Sequence, residues 1–392
     1  MLEDLRRQIY QCQRCGGCRQ STWKEYGIER ICPSYEYLAQ WEPYSARGRV
    51  GIARGILEGR VGVSDKLLEA VYTCTTCGNC RENCFSYLPY KFGVAERPPL
   101  DTVKVVETLR AELVKRARGL DKHKKIAEYA KQHHNPYNEP HSSRFDWFSG
   151  NSSPSTDIVY YVGCTSPYRL PDLCKTTVDL LDSAEIDYAL LEDEWCCGSV
   201  FYRTGFWDLG DELAKHNLLS LKKLKPKMVL FSCAGCYRTF KVDYAERFGD
   251  LGFKMLHVTE LLDQMIRQGN LKFKNTVSRR ITYHDPCHLG RHSGVYEAPR
   301  NVLRAIPKID LVEMFPTREY TMCCGAGGGV KSAFAEFAID VATARLHAAE
   351  KVGAEALVSA CPFCERNFSD AAQKNLPDMQ ILDVVKLASK AV

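Results

Sequence analysis

The cysteines are the residues of this chain whose number and spacing most directly suggest chemistry. There are nineteen of them among 392 residues. A chain of this length can build hydrophobic cores without disulfide bonds. Met1 leads into a polar, amphipathic run rather than a signal peptide, so we expect a cytoplasmic protein whose thiols stay reduced. Under those conditions, clustered cysteines favour metal ligation over disulfides.

Two close-spaced cysteine triplets lie near the N-terminus, and three thiolates in one tight loop suit a [4Fe-4S] cubane. In two-cluster ferredoxins, the fourth cysteine of such a run ligates the other cluster. The sequence therefore predicts two cubanes with crossed ligands. The first has the ligands Cys12, Cys15, Cys18 and Cys84, and the second has the ligands Cys74, Cys77, Cys80 and Cys32.

The N-terminal pattern departs from the standard ferredoxin spacing in two ways. The spacing Cys18-x13-Cys32 is long, although Cys32 carries the expected proline, Pro33, and Phe85 stands where a proline usually follows the last cysteine. These departures leave open which fourth cysteine completes which triplet. Zinc is the alternative metal, but zinc ribbons use cysteine pairs and have no role for a third thiolate at the same spacing.

The second half of the chain carries one cysteine pattern twice, and the second copy starts about 125 residues after the first. Each copy contains a single cysteine, a Cys-Cys-Gly and a Cys-x-x-Cys. The first copy consists of Cys164, Cys196, Cys197, Cys233 and Cys236, and the second consists of Cys287, Cys323, Cys324, Cys361 and Cys364. Five cysteines are one more than a cubane or a tetrahedral zinc site uses, so each copy predicts an unusual site.

The elements that must position these cysteines change along the chain. Up to about residue 95 the triplets lie among short helical segments, whereas from about residue 157 strand-like runs alternate with helical stretches, as in a mostly parallel sheet. In both copies the single cysteine and the Cys-x-x-Cys follow a strand-like run. These runs are 159–162 and 230–232 in the first copy, and 281–283 and 357–359 in the second. We expect two similar lobes that open their strand ends onto a shared cleft.

The fold class predicted for the whole chain is α+β, divided into four parts. Residues 1–95 form a mostly helical ferredoxin-type domain, residues 96–155 a helix and a linker, and residues 156–272 and 273–392 two α/β lobes with mostly parallel sheets. The helix is predicted over about residues 101–130. Residues 135–155 are rich in Pro, Asn, Ser and Gly, which is typical of a linker.

The doubled pattern resembles the tandem CCG domains of heterodisulfide reductase catalytic subunits. Residues 283–291 (YHDPCHLGR) and 323–329 (CCGAGGG) look typical of that family. The N-terminal part resembles the family's small iron-sulfur subunit, so the chain is similar to the fused D-type subunit. This resemblance implies that each five-cysteine set holds a noncubane [4Fe-4S] cluster, and that the two clusters face each other across a substrate disulfide.

The chemistry implied by this resemblance is the cleavage or formation of a disulfide. Iron in a thiolate-rich cluster can accept another sulfur ligand, so two clusters would give each product thiolate a metal partner. Cleavage needs two electrons, which a chain of two cubanes would deliver one at a time. The protons could come from His284, His288 or His292, which flank Cys287. We expect His288 to be the proton donor. We also expect the three histidines to be simple loop residues rather than ligands of a separate zinc site.

The favoured interpretation is a heterodisulfide reductase-like oxidoreductase subunit that acts on a disulfide or thiol small molecule. It would exchange electrons with a flavoprotein or a membrane cytochrome, and any membrane link would come through such a partner, because the longest apolar runs are only strand-sized. The alternative is an electron-relay subunit without its own disulfide, as in benzoyl-CoA reductase-type, sulfite-reductase-linked or electron-transfer-flavoprotein-linked complexes. A net charge of +5 gives little support to a nucleic-acid partner.

Overall fold

The computed structural model describes residues 1–20, 23–150 and 157–392, and these form two compact units. The first unit comprises Met1–Lys125, Val200–Trp207 and Glu319–Arg345, and the second comprises Ile126–Ser199, Asp208–Arg318 and Leu346–Val392. The strands are β1 (Ile158–Tyr161), β2 (Ala189–Leu190), β3 (Met228–Phe231), β4 (Lys254–His257), β5 (Arg279–Tyr283), β6 (Ile309–Val312), β7 (Ala356–Ser359) and β8 (Gln380–Asp383).

The described residues also form α-helices and short 3₁₀ or π turns. The helices are α1 (Arg6–Tyr10), α2 (Ala46–Leu57), α3 (Asp65–Tyr72), α4 (Asn79–Glu82), α5 (Leu88–Lys91), α6 (Thr102–Lys115), α7 (Asp121–His133), α8 (Thr165–Arg169), α9 (Pro171–Ser183), α10 (Ser199–Thr204), α11 (Trp207–Leu224), α12 (Ala234–Arg238), α13 (Ala245–Phe248), α14 (Val258–Gln268), α15 (Glu297–Ala305), α16 (Val330–Ala333), α17 (Ala335–Lys351), α18 (Pro362–Asn375) and α19 (Val384–Ala391). The 3₁₀ turns are Glu3–Leu5, Lys24–Tyr26, Glu42–Tyr44, His141–Phe145 and Arg318–Tyr320, and the π turns are Tyr35–Ala39 and Thr239–Tyr244.

The first unit is helical around its core. Apolar side chains of α1, α2, α3 and α6 form one buried cluster that includes Ile9, Val50, Val71 and Leu109. The start of α6 is fixed by a cap, because Asp101 Oδ1 accepts hydrogen bonds from the N–H groups of residues 103 and 104 at 2.9 and 3.2 Å.

The single helix predicted over residues 101–130 is wrong. Helix α6 ends at Lys115, and α7 begins at Asp121. Between them Ala117 adopts a left-handed φ of 59°, which an α-helix does not tolerate. The chain therefore turns between two helices instead of continuing one.

The second unit contains two parallel four-stranded sheets with the same strand order. The first sheet has the order β2-β1-β3-β4 and the second the order β6-β5-β7-β8. Val159 pairs with Val229 in one sheet, and Ile281 pairs with Ala356 in the other. Parallel strands covered on both faces need continuous apolar runs, which explains the sequence pattern. The predicted α+β class with two parallel α/β lobes is confirmed.

The two lobes of the second unit exchange equivalent helix contacts. Helix α14, which follows the last strand of the first lobe, packs against α15 of the second lobe. In return, α19, which follows the last strand of the second lobe, packs against α9 of the first. In each lobe, α9 or α15 is the long helix after the first cysteine. The two lobes thus make reciprocal contacts through equivalent helices, as a repeated sequence leads one to expect.

Much of the predicted linker is built into the second unit. The side chain of Asn135 donates to the carbonyl oxygens of His133 and Glu139, both at 2.8 Å, and Arg144 is fully buried. The ring of His134 stacks on Trp195 with centroids 3.6 Å apart. Residues 151–155 of the predicted linker lie outside the described residues.

Among the residues that the structure describes, no helix combines the length and the apolar character needed to cross a membrane.

Candidate metal centres

The first predicted cubane set surrounds one small cavity in the first unit. Its lining includes all four proposed ligands, Cys12, Cys15, Cys18 and Cys84. Cys15 is exposed, whereas Cys18 and Cys84 are buried. Burial raises the pKa of Cys18 to about 12, since a lone thiolate is poorly solvated there. A positively charged metal group in the cavity would stabilise the thiolate in place of the water that burial excludes.

The second predicted cubane set surrounds a neighbouring cavity of the same unit. Its lining includes Cys32, Cys74, Cys77 and Cys80. Thr102, at the start of α6, lines both cavities, so the two sets lie close to either side of this helix start. The structure therefore groups Cys84 with the first triplet and Cys32 with the second, as in the crossed assignment, despite the long x13 spacing.

A fully buried arginine joins the second cavity to the glycine-rich loop that follows Cys323-Cys324. Arg110 donates hydrogen bonds to the carbonyl oxygens of Cys74, at 2.6 Å, and Gly328, at 2.9 Å. A Cβ on Gly328 would lie 2.5 Å from the Cys74 oxygen, and its φ is +63°. Only glycine fits this close approach, which explains the glycine at this position of the loop.

The same loop brings Cys323 to the edge of the second cubane set. The Cys323 thiol donates a hydrogen bond to Thr75 Oγ1 at 3.4 Å, and Thr75 directly follows Cys74. Cys323 and Cys324 are both buried within the first unit. One pair of the second five-cysteine set thus lies beside a predicted cubane.

The first five-cysteine set forms a connected group at the carboxyl ends of strands in the second unit. All five cysteines are buried. The Cys164 side chain is hydrogen-bonded to Cys196, Cys197 to both Cys196 and Cys236, and Cys236 to Cys233. Ligands in open α/β sheets bind at this edge of the sheet, where parallel strands end together.

The proton affinities of these thiols reflect their crowding. Hydrogen bonds from Cys196 and, to a lesser extent, Cys236 lower the pKa of Cys197 below its usual range. Burial, together with the Cys196 side chain, raises the pKa of Cys164 well above its usual value. Sulfurs this close share protons when no metal is present, and the same closeness suits soft metal ions held by several thiolates.

The first lobe meets the second at Cys233. Hydrogen bonds from Cys236 and from Cys361 of the second lobe hold the pKa of Cys233 well below its usual range. The Cys361 side chain is in turn hydrogen-bonded to Cys364. A ring nitrogen of His284 lies within 4.8 Å of Cys364 Sγ. The Cys-x-x-Cys pairs of the two lobes are therefore in direct contact.

Of the second five-cysteine set, the second unit contributes Cys287, Cys361 and Cys364. Cys361 and Cys364 are buried, and Cys287 is half-buried. Cys287 follows strand β5 and Cys361 follows β7, as the sequence predicts.

The three histidines around Cys287 occupy different surroundings. His284 lies in irregular chain directly after β5, and His288 and His292 lie in turns, so none of the three is in a helix. A methyl group on Gly235 would lie 3.5 Å from Cys233 Sγ and 3.9 Å from His288 Nδ1, so His288 of the second lobe borders the Cys-x-x-Cys of the first. The rings of His288 and His292 meet edge to face at 5.2 Å. His284 is buried against Phe368.

Sequence reasoning missed a buried ion pair beside the first cysteine of the first lobe. Arg144 Nη1 lies 3.1 Å from Glu194 Oε1, and Arg144 Nη2 lies 3.8 Å from Cys164 Sγ. The available signal was weak: Arg144 precedes an aromatic-rich run, Phe145-Asp-Trp147-Phe148, that is unusual for an exposed linker.

Comparisons with known proteins agree with this arrangement. A profile of the 4Fe-4S dicluster domain matches residues 8–88, and a profile of the cysteine-rich domain matches residues 158–241 and 281–369. A dicluster domain followed by two cysteine-rich domains defines the chain as an iron-sulfur oxidoreductase subunit of a redox complex.

Individual relatives make the assignment more specific. The D-type subunit of dihydromethanophenazine:CoB–CoM heterodisulfide reductase from Methanosarcina mazei is 36% identical over 403 residues, covering 97% of this chain and 93% of that protein. The B-type subunit of the fumarate reductase (CoM/CoB) from Methanothermobacter marburgensis is 33% identical, with 82% and 62% covered. The EtfAB:quinone oxidoreductase of Syntrophomonas wolfei is 28% identical, with 83% and 47% covered. The chain belongs to the family of D-type heterodisulfide reductase subunits.

Proposed function

We propose that this chain passes electrons through two [4Fe-4S] cubanes to two noncubane [4Fe-4S] clusters, one for each five-cysteine set, where a disulfide is cleaved or formed. The contact between Cys233 and Cys361 carries this proposal, because it brings the sulfur-rich ends of both lobes to one place. In the reductive direction, RSSR′ takes up two electrons and two protons and yields RSH and R′SH. When bound, the clusters supply one-electron transfer and iron that accepts thiolate sulfur.

The order of the cysteine sets supports a direction for the electron path. Cys15 is the exposed member of the first cubane set, so we place the exchange with a partner there. The second set lies across Thr102 from the first, and Cys323 lies beside it through Thr75. We infer a flavoprotein or a membrane cytochrome as the partner, and any attachment to a membrane would come through that partner.

His288 is our proposed proton donor at the disulfide. His288 Nδ1 and Cys233 Sγ both border the position that a Cβ atom on Gly235 would occupy, at 3.9 and 3.5 Å. A ring nitrogen held near a developing thiolate can deliver the proton that thiol release requires. The backbone oxygen of His288 accepts a 2.7 Å hydrogen bond from the Ser293 hydroxyl, which steadies the turn that carries it.

The second candidate function is an electron relay without a disulfide substrate of its own. The similarity to an EtfAB:quinone oxidoreductase favours it, because that relative is named for a redox reaction between EtfAB and a quinone. The relay and the disulfide enzyme share all four proposed clusters. They differ only in whether the clusters of the two five-cysteine sets, here called the paired site, react with thiols.

The test is to titrate anaerobically purified, oxidised protein with small neutral, carboxylated and sulfonated thiols and to record electron paramagnetic resonance spectra. The disulfide enzyme gives a new signal with at least one thiol and none with the matching alcohols. If every thiol fails while dithionite still reduces the cubanes, the relay is the correct function.

A further inference from the structure

The buried ion pair of the first lobe is placed to act on a cysteine. Arg144 and Glu194 are both fully buried. Arg144 donates to Cys164 Sγ from both terminal nitrogens, at 4.0 and 3.8 Å, and also to the carbonyl oxygen of Gly163. Glu194 accepts the N–H groups of Val162 and Gly163, each at 2.8 Å. Both side chains thus contact residues 162–164, the loop that presents Cys164.

Stability alone does not account for this pair. Taking two charges out of water costs several kcal/mol for each ion, and apolar replacements of buried pairs are often neutral or stabilising. The cation of the pair donates directly to sulfur, whereas the anion accepts from two backbone N–H groups and the guanidinium. The charge that is hydrogen-bonded to Cys164 Sγ is therefore positive.

The second lobe has a different arrangement at the equivalent strand end. Arg300 is also fully buried, but it binds two carboxylates, Asp285 at 2.5 and 2.8 Å and Glu313 at 2.6 and 3.0 Å. Among the described residues, no hydrogen bond reaches the sulfur of Cys287. Cys164, the first cysteine of the first lobe, thus accepts hydrogen bonds from a cation, whereas Cys287, the first cysteine of the second lobe, does not.

We propose that Arg144 acts through Cys164 as a positioning residue. It makes the redox potential of the proposed cluster in the first lobe different from that of the proposed cluster in the second lobe. A hydrogen-bonding cation stabilises the more negative, reduced form of a thiolate-bound cluster and so raises its potential. With clusters bound, the first-lobe site would then be reduced by the first electron from the N-terminal cubanes and the second-lobe site by the second electron. This inference rests on the proposed noncubane clusters.

The test is a redox titration of the full-length anaerobic protein, followed by electron paramagnetic resonance. Arg144→Gln should lower one of the two paired-site potentials by at least a tenfold change in the reduction equilibrium, about 59 mV for a one-electron couple. Arg144→Lys should shift it less, because the charge remains. Burial raises the pKa of Glu194 to about 7, so the comparison is made at pH 8 or above, where Glu194 is ionised. Glu194→Gln should then shift the same potential upwards, because it leaves the cation without its counter-charge.

Arg300→Lys is the matched control, because it alters a fully buried arginine that binds carboxylates rather than a cysteine. It should leave the first-lobe potential unchanged. A purely structural role for Arg144 predicts that Arg144→Gln and Glu194→Gln shift the potential in the same direction or not at all, and either result overturns the inference. Should Arg144→Gln lose iron, the opposite shifts of Arg144→Lys and Glu194→Gln decide the question. Wild-type protein with no paired-site signal at all would instead overturn the proposed function.

Discussion

Cys233 of the first lobe and Cys361 of the second lobe are hydrogen-bonded to each other through their side chains. Each is the first cysteine of a Cys-x-x-Cys and follows the end of a parallel strand. Contact with Cys233 raises the pKa of Cys361 above its usual range, while the same contact helps to lower that of Cys233. A repeated motif has therefore produced two sulfur-rich strand ends that are in direct contact.

The first prediction concerns Cys361. Cys361→Ser should remove about four iron atoms per chain, the content of one cluster, and should abolish the thiol-dependent signal, because the site needs both lobes. Cys174→Ala is the matched control, since Cys174 is equally buried but lies outside every motif. Iron analysis and spectroscopy check both variants. A Cys361→Ser protein with wild-type iron and signal would contradict the ligand assignment.

The second prediction concerns the two cubane sets. The first set includes the exposed Cys15, whereas Cys32 and Cys77 of the second are buried. An iron chelator should therefore release iron in a fast phase from the first set and in a slow phase from the second. Cys84→Ser should eliminate the fast phase, and Cys32→Ser should eliminate the slow one. If Cys84→Ser removed the slow phase instead, the crossed pairing would be wrong.

The third prediction concerns His288. His288→Gln should lower the rate of disulfide reduction by about a hundredfold, as for loss of a general acid, and should flatten its dependence on pH. The Michaelis constant for the disulfide should change little. His292→Gln is the control, because it removes the ring that meets His288 edge to face while leaving His288 itself in place. Unchanged turnover of His288→Gln across the pH range would remove His288 from the mechanism.

The fourth prediction is a pH dependence of stability that comes from His123. Burial lowers the pKa of His123 to about 4, and its Nε2 lies 2.9 Å from the carbonyl oxygen of Gly329. The unfolded chain binds this proton near pH 6.5. The stability contributed by neutral His123 is therefore complete above pH 6.5 and is lost as the pH falls towards 4.

The measurement is the thermal unfolding of the wild type and of His123→Gln, which retains a donor for Gly329 but does not titrate. Between pH 8 and pH 5 the wild type should lose on the order of 2 kcal/mol more than the variant. Equal losses in the two proteins would show that His123 does not titrate as its burial requires.

The sequence predicted the lobes well because parallel strands leave a clear pattern. The run 228–231 coincides with β3, and the predicted strand before each single cysteine is present. Strands β6 and β8 were missed, because Asp310 interrupts the first and Gln380 and Asp383 bound the second. Short strands with charged or polar members lack the continuous apolar pattern that identifies a buried strand.

The charged groups around the cysteines could not be predicted in the same way. Arg110 lies on an amphipathic helix, where arginines are usually exposed, and the aromatic-rich run after Arg144 was only a weak local sign of burial. Their burial depends on carbonyl oxygens and a sulfur that are distant in the chain, such as Cys74 and Cys164. Local composition carries no information about such partners.

The most direct measurement of the central claim is the content of iron, acid-labile sulfide and zinc in anaerobically purified protein. Four [4Fe-4S] clusters predict about sixteen iron atoms and about sixteen sulfides per chain, with no zinc. About eight of each would mean that the two lobes hold no clusters. About four zinc atoms without sulfide would mean that the protein has no redox centres, and either result would contradict the account.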